Sequence, residues 1–256
     1  MERCRDGCER VVSDSIAFCA LCNERKELQD SHIIPEFLFK PMYDMKHRFH
    51  VYNVKGKTER KFSQKGIREK LLCRDCEQKF GKYEKYVSDF FDGRTEAISE
   101  KINNMVVVSP VDSKLLRLFL LSILWRSGVS NHEFFRQVSL GVHAETLRQM
   151  LLDEAVEPLW RYGCFVTAPL LNGEPQFDLM LQPTQSRIDG LRVYRFVFGG
   201  LSWVFFVSNK AHPKNLELVS LDGGAELRFL LTDLKDMKYA AEAFEKMAGY
   251  SDSNKQ

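Results

Sequence analysis

The stretch CALCNERKELQDSHIIPEFLFK, Cys19–Lys40, opens with a cysteine pair and places one histidine between a polar lead-in and an Ile-Ile-Pro strand end. A second pair, Cys73 and Cys76, stands in LLCRDCEQKFGKYE, Leu71–Glu84. Two residues between cysteines let both thiolates reach one metal, and two such pairs supply the four ligands of a closed tetrahedral zinc site. Fifty residues separate the pairs, more than a compact zinc ribbon uses, so a whole structural unit fits between them. Four packed core thiols are the alternative, but they require the spacing to recur by accident. Such a site has no open coordination position. Zinc held by Cys19, Cys22, Cys73 and Cys76 staples the chain and does no chemistry.

The rest of the chain bounds what surrounds this staple. At 256 residues, 44% hydrophobic and 28% charged, it has the composition of a globular protein that can bury a sizeable core. The first residues, MERCRDGCERVVSD, lack the apolar run of a secretory leader. The greasiest stretch, LLRLFLLSILW from Leu115, is broken by Arg117 and is too short to span a bilayer. These features predict a cytoplasmic chain with no membrane partner, in which thiols stay reduced.

Three regions separate by pattern: an N-terminal extension over 1–16, a cysteine- and lysine-rich segment over 17–92, and an α+β region over 93–256. In the last, DSKLLRLFLLSILWRSG has a cap, apolar residues at helical spacing and a glycine stop, and predicts a helix. HAETLRQMLLDEAV predicts a second helix and LTDLKDMKYAAEAFEKMA a third. GCFVTAPLL, PQFDLMLQP, LRVYRFVFGG and LSWVFFVSN predict strands, the last two forming a hairpin at Gly199-Gly200. Cys164, His132 and His143 stand alone and read as a packed thiol and two satisfied imidazoles. Cys4 and Cys8 form half a site with no second half, and read as ordinary thiols.

Charge is segregated. Between Lys40 and Lys85 there are fourteen basic and six acidic residues, in a chain whose formal net charge is +2. Lys55, Lys57, Arg60, Lys61, Lys65 and Arg68 form a basic arm or hairpin of the kind that binds nucleic-acid phosphates by releasing counterions. No base-reading motif accompanies them, so binding to DNA is expected to be weakly sequence-specific and salt-sensitive.

Taken in order, Cys19, Cys22, His32, Pro35, Cys73 and Cys76 make residues 17–92 resemble a zinc-knuckled HNH nuclease of the ββα-metal class. SHIIPEF followed by LLCRDCE is similar to a subgroup of small HNH proteins associated with bacterial anti-phage systems. The resemblance implies an α+β fold: an N-terminal zinc-stapled ββα-metal module and a C-terminal α+β region with antiparallel strands. It implies metal-dependent hydrolysis of DNA, with His32 as the general base and a catalytic Mg2+ or Mn2+ beside it. An ATPase or sensor subunit is the implied protein partner. A base with an unperturbed pKa near 6.5 suits proton abstraction at neutral pH. Where related proteins carry a metal ligand just before the histidine, this chain has Ser31; strand alternation puts Asp30 on the face of His32 instead. On the helix after CRDC, Glu77 is the expected hard-oxygen ligand, with Glu84 one heptad further along the same face. Asn53 is the candidate for the family's middle asparagine, and His47 and His50 belong to the insert. Two rival readings stay open: a degenerate HNH module that binds DNA or protein without cleaving, and a zinc-stabilised structural subunit.

Overall fold

Cysteine pairs fifty residues apart can meet only if the chain between them folds back, and strand pairing brings it back. The computed structural model describes residues 16–52, 60–156, 158, 161–211, 221 and 224–237, with only the backbone at 50–52 and 60–62. β1 (Ile16–Phe18) and β2 (Arg25–His32) form a hairpin around the first cysteine pair. After His32 a 3-10 helix (Glu36–Met42) starts at Pro35, whose missing N–H costs nothing at a helix start. β3 (Phe49–Tyr52) and β4 (Arg60–Ser63) make a separate two-stranded ribbon. β5 (Arg68–Cys73) then returns antiparallel to β2, setting His32 opposite Arg68 and Leu28 opposite Cys73. Cys73 caps α1 (Arg74–Phe91), which buries Cys76, Phe80, Tyr83 and Val87 along one face. The second cysteine pair thus sits where a strand becomes a helix.

Beyond α1 the chain builds a second, larger sheet. β6 (Ile98–Ile102) and β7 (Met105–Ser109) form a hairpin turning at Asn103, whose φ of 58° suits a tight turn. α2 (Ser113–Val129) follows, with the Asp112 carboxylate accepting from the Leu115 N–H at 2.9 Å, and then α3 (His143–Leu152). β8 (Cys164–Leu171), β9 (Glu174–Pro175), β10 (Leu181–Ile188), β11 (Leu191–Phe198), β12 (Leu201–Phe206) and β13 (Leu227–Asp233) complete the set. The sheet order is β10-β11-β12-β8-β13-β7-β6, with β9 beside β8. All pairs are antiparallel except β8 with β13, which run parallel. The fold is α+β, with mostly antiparallel sheets.

α2 lies at the centre. Every residue from Leu116 to Ser127 is buried, as expected for a helix that is apolar nearly all round. One continuous core joins the cysteine-rich region, α2 and the large sheet. Phe37 meets Phe119 at 5.9 Å, and Phe80 meets Trp125 edge-on at 6.3 Å. Of these, Phe80, Phe119 and Trp125 are fully buried, and each such side chain contributes roughly 1.5–3 kcal/mol. Two glycines mark close approaches. A Cβ on Gly128 would lie 2.1 Å from Leu140, so this glycine serves packing rather than ending the helix. Gly199, at φ +61°, would meet Phe91 at 2.7 Å, where the β11–β12 turn touches α1.

Several expectations are corrected. PQFDLMLQP is not one strand: the chain turns through residues 176–180, and β10 begins at Leu181. Pro183 lies at the irregularity of β10, tolerable because β10 is a sheet edge. The start of the expected third helix, Leu231–Asp233, ends β13, and Leu234–Asp236 is a 3-10 turn. Tertiary pairing with β8 overrides local helix propensity there. Beyond Met237, the remainder of that helix lies outside the described residues, as do Cys4, Cys8, Asn53, Lys55 and Lys57.

Candidate metal centre and catalytic cleft

The first cysteine pair is shaped by backbone hydrogen bonds. Cys19 N–H donates to the Glu24 carbonyl, and Asn23 N–H, from a residue at φ 59°, donates to the Cys19 carbonyl, both at 2.9 Å. The second pair is brought in by β5: Ala20 N–H donates to the Leu71 carbonyl at 3.0 Å, and Cys73 N–H to the Cys19 sulfur at 3.3 Å. All four sulfurs of Cys19, Cys22, Cys73 and Cys76 lie within 4.8 Å of one another, close enough to hold one metal ion. The Cys22 and Cys73 sulfurs are 3.9 Å apart; a tetrahedron with Zn–S of 2.3 Å has an edge of about 3.8 Å. A hydrogen bond from Cys76 holds the Cys19 thiol down to about 4 against the opposing effect of burial. The Cys76 thiol is pushed up by that same hydrogen bond and by burial. Thiols this crowded share protons poorly, and a divalent cation relieves them.

His32 ends β2 with 22% of its side chain exposed. One helical turn later, Glu36 places its Oε2 2.9 Å from His32 Nε2. The Tyr43 hydroxyl donates to the other oxygen, and Arg68 lies 3.8 Å from Oε2. Burial pushes the Glu36 carboxyl up, but the hydrogen bonds from Tyr43 and His32, with the charges of His32 and Arg68, outweigh it. Glu36 is therefore held below the ordinary carboxylate value and stays ionised. Burial and that carboxylate push Tyr43 up to about 12, so it remains a donor. An ionised acceptor at Nε2 fixes the proton there and leaves Nδ1 as the basic nitrogen. Behind the ring, Arg126 of α2, only 1% exposed, donates from one nitrogen to the His32 carbonyl at 2.6 Å and to Glu84 at 2.8 Å. The Ser122 carbonyl and hydroxyl take its other donors, and its guanidinium lies 5.3 Å from the Phe80 ring centre. His32, Glu36, Phe37, Gly81, Glu84 and Ser88 are among the walls of an open cleft of about 280 Å3 between the 3-10 helix and α1.

The expected ligands of a second metal do not gather. Asp30 is exposed and lies 3.7 Å from Arg68. Ser31, buried, faces the other way; its hydroxyl accepts from Leu72 N–H at 3.1 Å and donates to the Glu77 carboxylate. Glu77 sits on that inner side, its carboxyl pushed up by burial and drawn back by Ser31 and Arg126, with Oε1 buried and unpartnered. Alternation along β2 thus places Asp30 and Glu77 apart. Among the described residues, the four cysteines are the one group of three or more His, Cys, Asp or Glu positioned for a common ion.

The basic residues divide. Lys65 is exposed beside β4, and Arg68, also exposed, lies within ion-pair distance of both Asp30 and Glu36. Arg60 and Lys61 lie in β4, with their side chains outside the described set. His47 stacks on Tyr43 at 3.8 Å, and His50 lies in β3. Cys164 is a buried thiol of β8. His132 Nδ1 accepts from Phe134 N–H at 3.2 Å. Sequence reading missed Glu36, Tyr43 and Arg126. A carboxylate four residues after a histidine across a proline was a usable signal for Glu36, and an arginine inside an apolar helix for Arg126. No helix among the described residues is long and apolar enough to cross a membrane. Searches against protein-family models, curated proteins and solved structures found no match for this chain.

Proposed function

We propose that residues 17–92 form a zinc-stapled module of the HNH kind and that the protein hydrolyses phosphodiester bonds in DNA. The observation that carries this is the His32–Glu36 pair in an open cleft, with His32 on the β2–β5 pair that leads into α1 and also brings the four cysteines together. In this reading His32 Nδ1 takes a proton from the attacking water. Glu36 accepts from Nε2–H and stabilises the imidazolium as it forms; Tyr43 and Arg68 hold Glu36 in place. Arg126 is a positioning residue that fixes the His32 main chain. Mg2+ or Mn2+ would supply Lewis acidity to such a reaction. Asp30 and Glu77 do not fit as its common ligands, so no step is derived through it. The basic excess between Lys40 and Lys85 supports DNA as the substrate, and the family likeness supports an ATPase or sensor subunit as partner.

The lack of a gathered ligand set for that ion among the described residues favours one rival, a module that binds DNA without cutting it. Supercoiled plasmid incubated with Mn2+ separates the two. Nicking by the wild type that disappears in His32→Ala supports hydrolysis. Retarded but intact plasmid with both proteins supports binding alone.

A further inference from the structure

We propose that a second cleft, sharing no wall residue with the one at His32, binds the phosphates of a nucleotide. This inference does not depend on nuclease activity. The cleft, about 380 Å3, lies at the start of α3 and is walled by Leu140, Val142, His143, Arg187, Arg192 and Val207. Arg187 and Arg192 are directly opposite each other on β10 and β11. Like charges in that position repel, which costs stability unless something negative lies between them. Among the described residues nothing does: Arg187 donates to the Gly190 carbonyl at 2.8 Å and Arg192 to the Ser139 carbonyl at 3.4 Å, and neither meets a carboxylate. Among the described residues, no acid belongs to the cleft wall.

A neutral hydrogen-bond donor and one more cation stand beside this pair. The buried Tyr162 hydroxyl, with no other acceptor among the described residues, donates to His143 Nδ1 at 3.0 Å, leaving Nε2–H as a donor. Arg161 stacks over the Tyr162 ring at 5.5 Å. A guanidinium offers paired donors that match phosphate oxygens, and two of them sharing a cleft wall with an imidazole fit a diphosphate or triphosphate. Leu140, Val142 and Val207 supply the apolar wall that a base needs; Val142 is 81% exposed at the lip. A cleft of a few hundred Å3 suits a small ligand better than a polynucleotide strand.

Calorimetric titration of the full chain with ATP, inorganic phosphate and a short duplex tests the proposal. ATP should bind the wild type, and Arg187→Gln/Arg192→Gln should weaken it by about tenfold or more. The ligand-free double variant should melt no lower than the wild type, because the like-charge pair has gone. His143→Gln should also weaken ATP, while His32→Ala should leave its affinity unchanged. No ATP binding by the wild type, equal ATP affinity in the double variant, or binding confined to the duplex would each overturn the assignment.

Discussion

His32 is held by a carboxylate four residues later and, through its carbonyl, by an arginine from a helix almost a hundred residues later in the chain. Glu36 is held below its usual titration range, so its contribution to stability is present above the unfolded carboxyl value of about 4.3 and lost as pH falls through the lower, folded value. Glu36→Gln should therefore melt below the wild type at pH 7, with the gap closing at about pH 3. A gap that stays constant over that range would show that Glu36 is not a charged partner of the ring. Arg126 presents a different case. Its burial is tolerable only because Glu84, Ser122 and the His32 carbonyl take its donors. Arg126→Met leaves Glu84 unpaired and should cost about 3–5 kcal/mol in chemical denaturation, with Arg126→Met/Glu84→Gln recovering part of the loss. Equal stability of all three proteins would remove Arg126 from the scaffold of the site.

At the scale of elements, the four-cysteine centre joins the β1–β2 hairpin to the start of α1, and removing the metal should loosen both. The purified chain should carry one zinc ion. A strong chelator, or Cys73→Ser, should lower the melting temperature and expose the 17–92 region to protease. Metal-free protein of unchanged stability and protease resistance would contradict a stapling role. This scale also shows what could be read beforehand. α2 was legible because its cap and its apolar run agree, and the β11–β12 hairpin because Gly199-Gly200 fits a tight turn. β10 was not, since LQPTQSRI is polar with an internal proline and pairs only as an edge. β13 was hidden because its parallel partner, β8, lies about sixty residues earlier. His32 and the cysteines were visible as types at a spacing. Glu36 and Arg126 became visible only when folding brought them to the ring, because their roles depend on contacts rather than on motif.

Over the whole molecule, a small net charge of +2 conceals a basic N-terminal half. If that half meets DNA through phosphates, binding should weaken steeply between about 50 and 200 mM salt and show little sequence preference. Salt-independent retention would point to a protein partner instead. The shared core means that the cysteine-rich region and the large sheet stabilise one another. The catalytic reading itself rests on proton transfer by one imidazole. It is tested most directly by the single-turnover nicking rate of supercoiled plasmid in Mn2+, measured with zinc-loaded, folded wild type and His32→Ala at equal DNA occupancy. A fall of about 10²–10⁴-fold in the variant is the expected result; equal rates, or no nicking by the wild type, would contradict it.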